Sequence, residues 1–409
     1  MSPGLQKSIF AAALLLSLPA QAIPVFARRY RTSCTTCHVL PPQLSSFGRA
    51  FRANGYRMPA GDPDTDAQDV PLGAPEWEGL FPRAFLPGAL PDTPPFAGVI
   101  HASISREHLG GVTTEAANAV LALLTGGNLG KRLSWFAAAG VGRDGAGLAR
   151  AFVSWDRLAG SWLGVRAGYM EPSAVPFSRY TQRLSYSGYL AFEQAQGATG
   201  LVLGDSKSAL EVFGAGSDPG PLRGLEYSVG VAARDAEGGL AGDGYARVSY
   251  KFGGVAAAGD QAGAPGRLSP ATAPLDEKTL RIGAFGYRAT LNGPDQRPRG
   301  VRAGGDMELI YRRVDLFASG WLGFDRASSS APDAIVSSFL AGGGVRPWPW
   351  LMLLARYEAA VTSGAPSQRR VVGTIRAALQ QNVALSTDLC LEMPDANVVD
   401  LAGSLFVAF

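Results

Sequence analysis

Hydrophobic and polar residues alternate along most of this 409-residue chain. Between Leu351 and Val361 the odd positions are apolar or aromatic, whereas Arg356 and Glu358 occupy even positions. The same alternation recurs at 301–312 and 383–391, and in shorter runs near 150–156 and 163–169. A period of two residues is typical of β-strands that present one face to an apolar environment and the other to a polar one. The pattern therefore predicts an all-β domain over residues 96–409.

Clusters of Gly, Asp, Asn and Pro separate the alternating runs and divide them into about sixteen strands. The strands are predicted at 97–108, 131–142, 147–158, 162–171, 196–204, 208–216, 224–235, 242–251, 279–290, 301–312, 314–324, 335–347, 350–361, 369–380, 383–393 and 398–409. The segment 116–124 also fits a strand, which would make seventeen. The long connections at 172–195 and 259–278 are predicted to be extracellular, because outer-membrane barrels carry their longer loops there.

The alternation favours a transmembrane antiparallel β-barrel over a soluble β-sandwich. The polar face carries both signs of charge in strand after strand, as a water-filled lumen would. Charged residues make up only 17% of the chain, below the usual quarter of a soluble domain. The last strand ends at Phe409 and resembles the C-terminal strand of bacterial outer-membrane barrels. We therefore expect a protein of the cell outer membrane, with lipid around the barrel.

The polar face of the predicted strands carries carboxylates interleaved with arginines. The carboxylates are Asp156, Asp306, Glu308 and Glu358, and the arginines are Arg150, Arg166, Arg302 and Arg356. We expect an ordinary salt-bridged lumen rather than a cation-binding track. The net charge is only +3 and the basic residues are dispersed, so a nucleic-acid partner is not expected. No constellation of catalytic residues for hydrolysis or group transfer is present.

The first 95 residues differ from the rest of the chain. Lys7, the apolar run 9–18 and the small residues Ala20 and Ala22 predict an export signal over 1–22, cleaved after Ala22. Residues 23–60 form a compact segment, and residues 61–95 a connector rich in Pro, Gly and Asp.

The compact segment contains the motif Cys34-Thr35-Thr36-Cys37-His38. The spacing C-x-x-C-H is the attachment signature of a c-type haem, in which both thiols bond to the porphyrin and the histidine ligates the iron. Zinc would require a fourth ligand at suitable spacing, and a redox dithiol would require a βαβ pattern; neither is found here. The remaining cysteine, Cys390, leaves no disulfide framework. The motif predicts one covalent haem c held by Cys34, Cys37 and His38.

The sequence leaves more than one candidate for the second axial ligand of this haem. Met58 follows His38 by twenty residues, and methionine there would raise the potential relative to a second histidine. His101 and His108, in the first predicted strand, are alternatives, and so is an open position.

A helix is predicted over Ser46–Asn54, capped by Ser45 or Ser46 and ended by Gly55. Three apolar side chains on one side of it are expected to cover a haem edge: Leu44, Phe47 and Phe51. Arg49 and Arg52 lie on the other side, where we expect them to point into solvent, the alternative being contact with the haem propionates.

The stretch 23–56 resembles the N-terminal cytochrome segment of the outer-membrane fused monohaem cytochrome–porins, which are known from iron-oxidising bacteria. The matching residues are Pro24, Phe26, Ala27, Arg28, Ser33, Cys34, Cys37, His38, Phe47, Gly48, Arg49, Phe51, Asn54, Gly55 and Tyr56. Beyond them the likeness lies in the order of signal, haem motif, helix, connector and barrel. The resemblance implies a cytochrome in or at the periplasmic mouth of its own barrel. It also implies electron transfer between an extracellular donor, with Fe²⁺ favoured, and periplasmic carriers.

Two other functions are compatible with the sequence. A porin could use the haem segment only as a plug or sensor, and a small haem peroxidase would need an open sixth position. The first hypothesis is a redox carrier, with iron:cytochrome oxidoreductase activity as its enzymatic form.

Overall fold

The computed structural model describes residues 24–58 except 31 and 42, the pairs 70–71 and 89–90, and 96–408 with gaps in the connections. The gaps are 110–111, 130–131, 144, 178–184, 186–187, 196, 198–199, 218–219, 237–238, 260–276, 291–298, 327–332 and 394–397. The predicted export signal and most of the predicted connector lie outside the described residues. Within these ranges no helix has the length and apolar character needed to cross a membrane.

The elements are as follows in chain order. The helices are α1 Pro24–Arg29, α2 Cys34–Cys37, α3 Ser46–Ala53 and α4 Leu190–Glu193. The short strands are β1 His38–Leu40, β2 Gln43–Leu44, β3 Val70–Pro71, β4 Ala89–Leu90 and β9 Leu158–Ser161. The long strands are β5 Phe96–Leu109, β6 Val112–Leu129, β7 Leu133–Gly142, β8 Gly145–Trp155, β10 Gly164–Met170, β11 Lys207–Ala215, β12 Leu225–Ala236, β13 Gly239–Phe252, β14 Lys278–Thr290, β15 Arg299–Tyr311, β16 Val314–Arg326, β17 Ala334–Trp348, β18 Leu351–Thr362, β19 Gln368–Gln380, β20 Val383–Met393 and β21 Val398–Ala408.

Strands β5–β8 and β10–β21 form one closed antiparallel barrel of sixteen strands. The last strand closes on the first, where Phe406 pairs with His101. Closure leaves no unpaired strand edge, which is the condition for β-structure to cross a bilayer. Apolar side chains such as Leu322 and Ile335 point outward and are 69% and 62% exposed. The predicted fold class is confirmed, and the outer surface is one that contacts membrane lipid.

The predicted number of strands is correct, although one of the sixteen predicted strands is wrong and the optional segment 116–124 belongs to a real one. The segment 112–129 is a full strand, β6, while 196–204 is not a barrel strand. The apolar side chains of Leu201 and Leu203 are buried inside the barrel, so their alternation reflects packing against the inner wall and not against lipid. Positive φ angles at Gly197 and Gly200 also interrupt an extended backbone there.

The strand order fixes which connections share an end of the barrel. Phe96 and Ala408 begin and end the barrel at one end, and the longest connection, 171–206, joins strands at the opposite end. Outer-membrane barrels carry their longer loops on the extracellular side, so we assign 171–206 to the extracellular end and the end with Phe96 and Ala408 to the periplasmic end. The connection 253–277 joins β13 to β14 at this periplasmic end. The two long connections predicted to be extracellular therefore lie at opposite ends, and the prediction is wrong for 259–278.

The described parts of connection 171–206, called here the inward connection, fold into the lumen. Tyr189 and Phe192 in and beside α4 are almost completely buried. The Trp321 indole N–H on β16 donates to the Ala191 carbonyl at 3.1 Å, and Arg356 on β18 donates to the Gly188 carbonyl at 3.2 Å. The inner wall therefore holds this connection in place.

The prediction of a salt-bridged lumen is confirmed. The ion pairs join charged residues of the same strand or of neighbouring or nearby strands in the barrel interior. They include Arg302–Asp325, Arg247–Asp306, Arg166–Glu211 and Arg356–Glu358–Arg370. Pairing compensates part of the cost of removing these charges from water.

Candidate haem site in the barrel lumen

Residues 24–58, called here the cytochrome segment, lie inside the periplasmic end of the barrel. Its residues bond to the barrel at several separate places: Arg28 donates to the Phe96 carbonyl, Gln43 to Asp315, Ser46 to Glu277 and Asn54 to the Ala258 carbonyl. Glu277 and Ala258 belong to the connection 253–277. This long periplasmic connection therefore contributes directly to holding the segment.

The Cys34–Cys37 turn places both thiols of the haem motif on one side of a single helical turn, since positions three apart in a helix are neighbours. His38 leaves this turn in an extended conformation, with φ −119° and ψ 137°, and pairs with Leu44 of β2. Ser45 fixes the turn from the next helix, because its backbone N–H donates to the Cys37 carbonyl at 2.9 Å and its hydroxyl to the Thr36 carbonyl at 3.2 Å.

The predicted helix is confirmed as α3. The Ser45 hydroxyl accepts from the Gly48 N–H at 3.1 Å, which is the expected N-cap, and Gly55 follows the helix with φ +67°. Gly48 allows the helix to pack directly on the haem motif, because a Cβ atom there would lie 2.0 Å from the Cys37 carbonyl oxygen. Any larger residue at position 48 would separate α3 from the cysteine turn.

A cavity of about 910 Å³, including its open mouth, is enclosed by the cytochrome segment and the barrel wall. We call it the haem cavity. Its lining contains all four residues proposed from the sequence to hold a haem: Cys34, Cys37, His38 and Met58. Its floor and walls are mostly aromatic: Phe26, Tyr30, Phe51, Tyr56 and Phe136.

The two histidines of β5 do not line this cavity. His101 lies on the inner face of β5 but is absent from the cavity lining. His108 is exposed near the extracellular end of the same strand and bonds to the Thr113 hydroxyl at 2.9 Å. Of the three candidates for the second axial ligand, the structure brings only Met58 to the cysteines.

Stacked aromatic rings connect the segment to the barrel. The rings of Phe26 and Tyr56 are parallel with centroids 4.8 Å apart, and Tyr56 stacks on Phe136 of β7 at 5.7 Å. Phe51 meets Phe26 edge-to-face at 5.4 Å. Tyr56 reaches this position because Gly55 and Tyr56 itself both adopt positive φ, which turns the chain back over the cavity. The cavity wall that these rings form beside the cysteines is therefore largely apolar.

The barrel residues of the haem cavity, Phe136 on β7 and Arg150 on β8, were missed as site residues by sequence reasoning. The signal available for Phe136 was an aromatic ring on a strand face that otherwise carries small residues such as Ser134 and Ala138. Their role depends on where the segment docks, which is a long-range property.

The expectation that Arg49 points into solvent is wrong. Its guanidinium makes two parallel bonds to the Glu308 carboxylate of β15, at 2.5 Å and 2.6 Å. The Arg49 and Glu308 side chains are only 14% and 6% exposed, so Arg49 is not a solvated helix residue. The sequence alone could not indicate this because the partner lies 259 residues away. Arg52 was likewise expected in solvent, but it lines the haem cavity.

The end of β8 forms a second anchor. Asp156 accepts from the Ser134 hydroxyl at 2.5 Å and from Arg57 of the segment at 3.4 Å. Arg157 donates to the Asn54 side-chain carbonyl at 2.8 Å. The absence of a side chain at Gly55 leaves room for the Asp156 carboxylate, which a Cβ atom there would approach to 1.9 Å.

The candidate ligands and their surroundings fit a haem c better than a zinc site or a redox-active dithiol, the two other uses of a C-x-x-C pair. Burial raises the pKa of the Cys37 thiol to about 12, with Cys34 adding to the shift, whereas a redox-active dithiol needs a lowered pKa. No group of three His, Cys, Asp or Glu side chains suited to a metal ion occurs in the described ranges. One thioether ligand, one imidazole and two thiols facing an aromatic cavity are the groups that hold a haem c.

A second cavity adjoins the haem cavity, and the two share Leu44 and Arg52. This space, called here the lumen chamber, has a volume of about 1010 Å³ including its openings. Its wall carries charged side chains of both signs, such as Arg166, Glu211 and Arg281, among apolar ones. It extends from α3 to residues 171–176 of the inward connection. The cytochrome segment thus borders a space with charged groups that leads towards the extracellular side.

Comparison with solved structures identifies the architecture. An anion-selective porin from Comamonas acidovorans superposes with a TM-score of 0.55 at 12% identity, covering 77% of this chain and 98% of that chain. OmpF of Salmonella typhi gives 0.52 at 10% identity, with 77% and 97% coverage. OprB of Pseudomonas putida gives 0.51 at 9% identity, with 77% and 94% coverage. No protein-family profile and no curated protein sequence matches the chain. The protein is an outer-membrane β-barrel with the fold of the porins.

Proposed function

We propose that this protein is an outer-membrane electron-transfer cytochrome–porin that passes electrons between an extracellular donor, with Fe²⁺ favoured, and periplasmic carriers. The observation that supports it is the convergence of Cys34, Cys37, His38 and Met58 on one cavity inside a closed membrane barrel. The resemblance of residues 23–56 to fused monohaem cytochrome–porins supports the same function. In enzymatic terms the activity would be that of an iron:cytochrome oxidoreductase.

Each group of residues has a distinct role in this proposal. Cys34 and Cys37 would hold the haem c covalently, so that it would not be lost from a site open to the cell exterior. His38 and Met58 would ligate the iron, and the aromatic walls would keep water from it. When bound, the haem supplies one-electron exchange at its iron, at a potential tuned by these ligands and their surroundings.

The position of the haem cavity suggests how a donor and an acceptor reach it. The barrel's apolar band is about 25 Å tall, so a single haem at the periplasmic end needs its donor to enter the lumen. The lumen chamber offers a small solute such as Fe²⁺ a space with charged groups beside Arg52. The periplasmic mouth, where the segment docks, is where a soluble carrier would accept the electron.

The test is reduction of the haem by Fe²⁺ in protein reconstituted into lipid vesicles. The oxidised protein is mixed with Fe²⁺ in a stopped-flow spectrometer, and the c-type absorption bands are followed. Prompt reduction, followed by reoxidation when a soluble periplasmic cytochrome is added, is the expected result. A haem that dithionite reduces but Fe²⁺ does not would remove iron as the donor.

The role of Met58 has its own test. Met58→Leu removes the thioether at nearly constant volume and should lower the midpoint potential, since thioether ligation raises it. We expect at least a tenfold change in the equilibrium, or about 59 mV for one electron. Met352→Leu is the matched control, because Met352 is buried in the lumen but absent from the haem cavity lining. Equal potentials in Met58→Leu and wild-type protein would contradict this ligation.

The alternative function is a porin that uses the cytochrome segment as a plug or sensor. The segment lies inside the barrel, and a buried ion pair joins it to the wall, as a plug requires. Deletion of residues 23–60 separates the two functions. A plug predicts faster solute entry into vesicles with no effect on electron uptake by cells, whereas a redox carrier predicts loss of electron uptake.

A further inference from the structure

The described wall of the lumen chamber carries more guanidinium groups than carboxylates. The arginines come from α3 and from three barrel strands, β10, β13 and β14. They are Arg49, Arg52, Arg166, Arg247 and Arg281, and the glutamates beside them are Glu171, Glu211 and Glu226. A solute that enters the chamber therefore meets more cations than anions on its described wall.

The ion pairs of this wall are oriented. Arg49 is paired with Glu308 and Arg247 with Asp306, and neither of these carboxylates is in the chamber lining. The arginine is the more exposed partner in both pairs, and also in the pair Arg166–Glu211, whereas Glu226 is more exposed than Arg281. Most of these pairs, although neutral as a whole, thus turn their positive end towards the chamber and their negative end into the wall.

Arg52 adds a cation that no described carboxylate compensates. It lies in the last turn of α3, is half-buried, and makes no hydrogen bond or ion pair with another described residue. It lines both the lumen chamber and the haem cavity. An anion held in the chamber at Arg52 would therefore lie beside the cavity that contains Cys34, Cys37 and His38.

We propose that the lumen chamber binds small polycarboxylate anions, and that iron reaches the haem as an anionic complex with such a ligand and not as the hydrated cation. This inference rests on the proposed function, which supplies the haem and the iron donor. Guanidinium groups suit a carboxylate because they stay charged and can donate two parallel N–H bonds to it. The same groups repel a hydrated Fe²⁺ ion.

The electron balance is that of a simple one-electron exchange. The ferrous iron of the complex loses one electron and becomes ferric, and the oxidised haem iron gains that electron and becomes ferrous. No bond to the polycarboxylate is broken. The complex becomes less negative by one charge, so its attraction to the chamber decreases and its release is favoured.

The experiment measures the binding of citrate, as an iron-free polycarboxylate probe, to the purified full-length protein by isothermal titration calorimetry at low salt. We expect one citrate per barrel, bound about tenfold more weakly by Arg52→Gln, a factor typical of one hydrogen bond to a charged group. Arg106→Gln is the matched control and should bind like wild type, because Arg106 is highly exposed on β5 and is not in the chamber lining. Arg281→Gln, a second variant of the chamber wall, should also weaken binding and serves if Arg52→Gln fails to fold.

A stopped-flow measurement on the haem protein tests the form in which iron arrives. The oxidised protein is mixed with Fe²⁺ in excess citrate or with hydrated Fe²⁺. Arg52→Gln should slow reduction by the citrate complex about tenfold relative to reduction by hydrated Fe²⁺, since it weakens only the binding of the anion. An effect of equal size on both reductants would contradict delivery of iron as an anion.

Citrate that does not bind the wild-type protein, or that binds Arg52→Gln and Arg281→Gln as tightly as wild type, would overturn the proposal. A folded wild-type protein without haem would instead refute the proposed function. The citrate titration requires no haem, so it decides the present proposal in either case and the two failures are distinguishable.

Discussion

Replacing Cys34 and Cys37 together by alanine is expected to abolish covalently bound haem while leaving the barrel folded. The two thiols lie on one side of the α2 turn and both face the haem cavity, whereas the barrel strands pair only with one another. Haem that remains on the polypeptide after denaturing electrophoresis is measured by its peroxidase stain. The expected result is complete loss of the stained band, with the heat-dependent migration of a folded barrel retained.

Cys390→Ala is the matched control for this experiment. Cys390 is buried on the lumen face of β20 and does not line the haem cavity. Its removal should leave the stained band unchanged. A double variant that keeps its haem through denaturation, or a Cys390→Ala protein that loses it, would show that the haem is not attached at the motif.

Arg49→Ala is expected to release the cytochrome segment from the barrel wall. The variant removes the guanidinium that makes two bonds to the buried Glu308 carboxylate, and breaking one side of a buried ion pair costs about 3–5 kcal/mol. The loss should appear as faster hydrogen exchange and faster proteolysis within residues 24–58, at unchanged exchange in the barrel strands. Loss of docking should also expose the haem and alter its absorption spectrum.

Two further variants test whether the pair itself is responsible. Arg106→Ala breaks a pair with Glu115 in which the side chains are 64% and 72% exposed, so its effect should stay within about 1 kcal/mol. The charge reversal Arg49→Glu with Glu308→Arg should restore much of the protection lost in Arg49→Ala. Unchanged protection of the segment in Arg49→Ala would show that the remaining contacts suffice to dock it.

The parts of the fold that sequence reasoning predicts are those set by nearby residues. Alternate residues of each strand face lipid and the lumen. The alternation from Leu351 to Val361 therefore shows directly which side chains face the lipid. The helix α3 is bounded by its own cap at Ser45 and its own glycine at position 55. The haem motif is likewise local, since both thiols and His38 lie within five consecutive residues.

The errors concern residues whose environment is set by distant parts of the chain. Leu201 and Leu203 alternate like a membrane strand but belong to the inward connection and are buried in the lumen. Arg49 resembles a solvated helix residue until the docked segment brings it to Glu308. Phe136 and Arg150 become site residues only because the cytochrome segment lies against β7 and β8. Alternation does not reveal which side chains meet across the lumen.

The most direct test of the central claim is a spectroelectrochemical titration of the purified, detergent-solubilised full-length protein. The claim is that one covalent haem, ligated by His38 and Met58, lies inside this outer-membrane barrel. The expected result is a c-type absorption spectrum that titrates as a single one-electron step, with one haem per folded barrel. A folded barrel with no haem spectrum would contradict the claim and leave only a porin-like protein with a peptide segment in its lumen.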